Sequence, residues 1–82
     1  MTSDSQRWHI GDRYYGVRVA STPDSFDLEL DDLGPGAGRG TVAVASMPDG
    51  SKNIDVRVFT DGALPIEVFE QFVAEARRRL PI

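Results

Sequence analysis

The chain contains no cysteine, which excludes disulfide staples, zinc–thiolate sites and thiol nucleophiles together. Histidine occurs once, at His9, and a lone imidazole supplies neither a zinc site nor a complete acid–base constellation. Neither a metal nor a catalytic role is therefore expected. Lysine also occurs once, at Lys52, acids outnumber bases 13 to 9, and the net charge is −4. Such a chain lacks the basic footprint that phosphate contacts need, so neither nucleic acid nor an anionic membrane surface is the expected partner. No apolar run is long enough to span a bilayer, and the polar first eleven residues hold no signal-peptide pattern. The expected location is the cytoplasm, with which an absence of cysteine is compatible.

Phosphate-loop chemistry is missing as well. Residues 33–40 read Leu-Gly-Pro-Gly-Ala-Gly-Arg-Gly. A Walker-type loop needs a lysine followed by Ser or Thr and then a helix, so that backbone N–H groups converge on the phosphates. Here position 39 is arginine, no lysine follows, and the next residues alternate like a strand. The even spacing of Gly36, Gly38 and Gly40 also departs from the dinucleotide fingerprint. An inter-strand loop is expected, with no cofactor.

What the chain does contain is one strongly amphipathic stretch, 65–80. At about 100° per residue, Ile66, Phe69, Phe72, Val73, Ala76 and Leu80 fall on one helical face. Pro65 suits the first turn and Pro81 a stop. Glu67 and Glu70 complement the positive end of the dipole, and Arg77, Arg78 and Arg79 the negative end. Glu75 is placed to pair with Arg78 or Arg79.

The residues before this stretch alternate in strand fashion. Gly11-Asp12 predicts a two-residue hairpin turn that sets Trp8 opposite Tyr15 and His9 opposite Tyr14. Trp8 is expected to be buried through that pairing. Tyr15, Val17 and Val19 then face inward. After a turn at 21–24, Phe26, Leu28 and Leu30 alternate with Asp27, Glu29 and Asp31. A four-residue loop there would set Val17 opposite Leu28 and Arg18 opposite Asp27. Val42 and Val44 are read as inward and Ala43 and Ala45 as outward. Pro48-Asp49-Gly50 is a turn, and 53–60 a last strand carrying Ile54, Val56 and Val58 inward. With 82 residues the chain is expected to be one domain, 1–82, with 1–5 a flexible start. The fold class is α+β: a four- to five-stranded antiparallel meander with one C-terminal helix across one face.

A helix on one side leaves the other sheet face open. The acidic row Asp27, Glu29 and Asp31, with Asp24 and Asp32 at its ends, is expected there with Arg18 and Arg57, the aromatics Tyr14 and Phe59, and Ala43 and Ala45. Carboxylates at alternate positions of a flat strand lie about 7 Å apart with no cleft between them, which does not suit glycosidase chemistry. Acids among small and aromatic residues suit docking of a protein partner with a basic surface. The expected function is a small acidic interaction module: an inhibitor, immunity-type, adaptor or assembly protein. Self-association is a variant, most simply through an edge strand such as Gln6–Ile10 or 53–60, since stacked acidic rows repel. The alternative is a ligand-binding protein or minor enzyme subunit centred on His9, Tyr14 and Asp31. A nucleic-acid surface through Arg39, Arg77, Arg78 and Arg79 is opposed by the charge.

Overall fold

The computed structural model describes residues 6–36, 38–50, 52–59 and 63–80. The expected flexible start at 1–5, the strand end at Thr60 and the stop at Pro81 lie outside them. Five strands, β1 (Gln6–Ile10), β2 (Arg13–Val19), β3 (Ser25–Gly34), β4 (Gly40–Pro48) and β5 (Asp55–Val58), form one antiparallel sheet in sequential order. Helix α1 (Ile66–Arg79) follows. The α+β meander expected from the alternation is the observed fold.

The first hairpin has the expected register. Gly11 takes a positive φ of 65° in the turn, Trp8 pairs with Tyr15, and His9 pairs with Tyr14. Trp8 is buried. The second reversal is tighter than expected. Thr22 and Ser25 close a turn around Pro23-Asp24 through paired main-chain bonds, so strand pairing continues almost to the turn. The register moves by two residues: Val17 lies opposite Leu30 and Arg18 opposite Glu29. A shift of two preserves the faces, because side chains alternate with period two.

The ladders carry two irregularities, and one of them reassigns β4. Leu30 pairs with Ala43 and Asp31 with Thr41, so Val42 is the extra residue of a bulge. Ala43 and Ala45 therefore face the helix, fully buried, and Val44 lies on the open side opposite Arg57. This corrects their expected outward placement. The other irregularity pairs Tyr14 with Gly34 and Tyr15 with Asp32, leaving Leu33 extra.

The core joins Tyr15, Val17, Leu28, Leu30, Ala43 and Ala45 of the sheet to Val68, Phe72, Ala76 and Leu80. Helix α1 is turned from its expected orientation. Ile66 is 66% exposed whereas Val68 is fully buried. The stem of Glu75 shares the buried side, its carboxylate held by Arg78 and Arg79. An acid clamped in this way spends most of its length as hydrocarbon, which widens the buried stripe beyond the apolar residues alone. Val19 and Phe26 keep their expected side but are 40% and 45% exposed.

Candidate functional site

Gly16, Arg18, Glu29, Asp31, Val44 and Arg57 occupy the sheet face opposite the helix, by strand alternation and register. The acidic row on this face is ordered by neighbours on both sides. Arg18 bridges to Glu29 Oε1 at 2.6 Å and donates from Nε to Asp31 Oδ2 at 2.9 Å. The Thr41 hydroxyl donates to Asp31 Oδ1 at 2.8 Å. The Ser25 and Ser46 hydroxyls both donate to Asp27 Oδ1, at 2.9 and 2.6 Å. Asp31 thus has both oxygens occupied, whereas Asp27 Oδ2 and Glu29 Oε2 have no partner among the described residues. Asp31 first, and Glu29 with it, raise the Arg18 pKa above its usual value. Arg57 makes no ion pair among the described residues, so the bridges to the row come from Arg18.

Two shallow depressions flank the row. One, of about 190 Å³, lies beside Arg7, Gly16, Arg18 and Asp31. Gly16 has no side chain, and a Cβ there would come within 3.2 Å of Leu33 Cδ1, which covers it. The other, of about 230 Å³, is lined by Asp27, Ser46, Arg57 and Phe59. Tyr14 is 45% and Phe59 55% exposed.

Of the group His9, Tyr14 and Asp31, the structure brings the first two together. Their rings stack with centroids 4.5 Å apart. Asp31 lies opposite Gly16 and is committed to Arg18 and Thr41. Among the described residues no three His, Asp or Glu side chains converge as metal ligands would.

The densest charge cluster is one that sequence reasoning missed. Asp32 has no side-chain exposure and lies on the helix side, away from the acidic row. Arg13 donates to both of its oxygens at 3.0 Å, Arg39 Nε to Oδ2 at 2.5 Å, and the Gly34 N–H to Oδ1 at 2.9 Å. Burial alone would push the Asp32 carboxyl up. Arg39, the Gly34 N–H and Arg13 together outweigh it and hold the group below the ordinary carboxylate value. The glycine-rich segment is shaped around this acid: a Cβ at Gly38 would overlap the Asp32 carbonyl oxygen. The signal was present, because the period that faces Leu28 and Leu30 inward also faces Asp32 inward, and on β2 it does the same for Arg13 before Tyr15 and Val17. Arg39 is thereby engaged with Asp32, and Arg78 and Arg79 with Glu75.

No protein-family model matches the chain, and neither the curated proteins nor the solved structures include a detectable relative.

Proposed function

We propose that the protein is a small interaction module that binds another protein through its open sheet face, acting in the cytoplasm as an inhibitor, immunity-type, adaptor or assembly protein. The observation that carries this reading is the half-satisfied acidic row. Asp27 and Glu29 are each held through one oxygen while the other lacks a partner among the described residues. Carboxylates fixed in this way lose little side-chain entropy when an arginine or lysine approaches, which favours a basic partner. Arg18 holds the row in place. Tyr14 and Phe59, exposed near its flanks, supply apolar area of the kind enriched in interfaces. Arg57, beside Phe59 in the larger depression, is the further contact. The test is affinity capture from lysate of the source organism, run beside an Asp27/Glu29/Asp31→Lys variant. A stoichiometric partner lost from the folded variant supports the module and its face. A partner retained by the variant overturns this face as the site.

Pairing of β5 with a twofold mate is a second reading. It rests on Val58 and Phe59, both about half exposed at a short edge strand. Light scattering after size exclusion tests it, and a monomer at high concentration overturns it.

A further inference from the structure

A groove of about 420 Å³ lies between the chain entering β5 and helix α1, walled by Lys52, Ile54, Val56, Val73, Ala76 and Arg77. It follows from the way α1 is turned. Val68, Phe72 and Ala76 are the residues the helix buries in the core, and Val73 is left half-buried on its flank. Val73, Ala76 and Arg77 share that flank, being three and four residues apart. Ile54 and Val56 pack against the core from the other wall and are likewise half-buried. Val56 lies opposite Ala45, which faces the helix, so the groove is on the helix side and the acidic row is on the other.

The charge of this groove runs against that of the molecule. The chain carries −4 overall, yet these walls hold two cations and no acid. The depressions beside the acidic row include Asp27 or Asp31, and a cleft at the β1–β2 turn includes Asp12 and Glu67. Lys52 and Arg77 are both exposed, and neither makes an ion pair among the described residues. In this Arg77 differs from Arg78 and Arg79, which hold Glu75. The C-terminal end of the helix dipole opposes an anion with about half a charge. Three arginines less the one charge of Glu75 outweigh it. With a Debye length of about 8 Å at physiological salt, a bound anion feels the cations in the walls more than acids beyond them. Its volume is within the range of small-molecule sites, about 300–1,000 Å³. Apolar walls beside unpaired cations fit a ligand built of the same two parts, an apolar chain and an anionic head. A single charge suits it best, since the net charge of the protein repels a dianion more strongly.

We propose that this groove binds an alkyl carboxylate of the fatty-acid type, its head held by Lys52 and Arg77 and its chain lying along Ile54, Val56 and Val73. The site rests on neither the open sheet face nor the pairing of β5. The test is a titration of the chain, ¹³C-labelled at the Ile and Val methyls, with sodium octanoate. Octylammonium chloride and sodium butyrate are run beside it at matched ionic strength, all below micelle-forming concentrations. Octanoate is expected to move the Ile54, Val56 and Val73 methyl signals saturably. Octylammonium, with the wrong charge, and butyrate, which covers less of the apolar wall, are each expected to bind about tenfold more weakly. Lys52→Gln with Arg77→Gln alters two exposed side chains without ion pairs, so the variant folds, and octanoate should weaken about tenfold. Absence of saturable movement overturns the proposal, as does an equal affinity for octylammonium or an unchanged affinity in the double variant. Equal movement of the Val19 and Ile66 methyls, exposed outside the groove, would mean detergent-like adsorption and overturns it too. Butyrate binding as tightly as octanoate would leave a site for an acidic group alone, such as a carboxylate of a partner protein, and rejects the acyl chain. An unresponsive groove in a chain that light scattering shows to be dimeric would make a second copy the occupant, which also overturns it.

Discussion

Tyr15 and Asp32 are cross-strand partners on the helix side of the sheet, both without side-chain exposure, and their polar atoms are treated in opposite ways. The Asp32 carboxylate accepts from Arg13, Arg39 and the Gly34 N–H. The Tyr15 hydroxyl, beside it, hydrogen-bonds to nothing among the described residues. The arginines are drawn to the full charge, and the neutral hydroxyl is left over. One end of the sheet thus holds a satisfied ion cluster next to an unsatisfied donor, and the two call for different mutational outcomes.

For Tyr15→Phe the hydroxyl is lost and the ring remains. A buried hydroxyl without a partner retains its desolvation penalty and gains no bond in return. The variant is expected to be more stable than the parent by about 1 kcal/mol, which for a domain of this size raises the melting temperature by about 4–8 °C. Calorimetry checks it. Destabilisation of similar size would mean that the hydroxyl has a partner in solution.

Asp32→Asn has the opposite sign. It leaves Arg13 and Arg39 facing a neutral amide that matches their donors poorly. Breaking a buried pair from one side costs about 3 kcal/mol or more, and chemical denaturation should show it. The acid response follows from the same contacts. Because the folded pKa of Asp32 lies below its ordinary 3.8, its contribution to stability is complete above that value and is lost as pH falls through the depressed folded value. Melting curves between neutral and strongly acidic pH should show a steeper acid loss for the parent than for Asp32→Asn. Parallel curves would exclude Asp32 as a source of acid sensitivity.

Much of the fold was legible because period-two alternation and turn chemistry agreed. Gly11-Asp12 fixed the first hairpin, and the alternation of Leu28 and Leu30 fixed the faces of β3. What escaped was governed by single extra residues. Val42 in a bulge reverses the faces of β4 beyond it, and alanine at 43 and 45 is too small to declare which side is buried. The helix was misjudged by its orientation, since Ile66 is apolar yet exposed and Glu75 is charged yet buried. Asp32 was counted with the acids near it in sequence, although the alternation already placed it with the leucines. The open face was legible in its residues. Ser25, which binds Asp27, is on the same strand, but the Thr41 and Ser46 hydroxyls that bind Asp31 and Asp27 come from β4, whose register no local pattern specifies.

Gly38 is the glycine of its loop with the least room. A Cβ there would overlap the Asp32 carbonyl oxygen and crowd the Leu33 carbonyl carbon, both main-chain atoms that cannot rotate away. Gly38→Ala is expected to displace the loop, loosen Arg39 from Asp32, and cost about 2 kcal/mol. Gly36 has nothing within 4 Å of an added Cβ and suffers only from its φ of 71°. Gly36→Ala should therefore cost about 1 kcal/mol. Equal costs at the two positions, measured by urea titration, would show that Gly38 has no packing role.

The open face predicts a separation of binding from stability. Asp27→Asn with Glu29→Gln keeps the size and shape of both side chains and leaves the carbonyl oxygens able to accept from Ser25, Ser46 and Arg18. Those contacts are partly exposed, so the loss of charge should change stability by no more than about 1 kcal/mol. Affinity for a basic partner should fall at least about tenfold, and the association rate should become less sensitive to salt, because the fixed charges that steer the approach are gone. Glu70→Lys is the control. It changes the net charge by the same two units on an exposed position of α1. If it weakened binding as much as the Asp27/Glu29 variant, long-range net charge rather than the sheet face would account for recognition. Unchanged affinity in the helix variant, with loss in the sheet variant, would locate the contact at the two carboxylates.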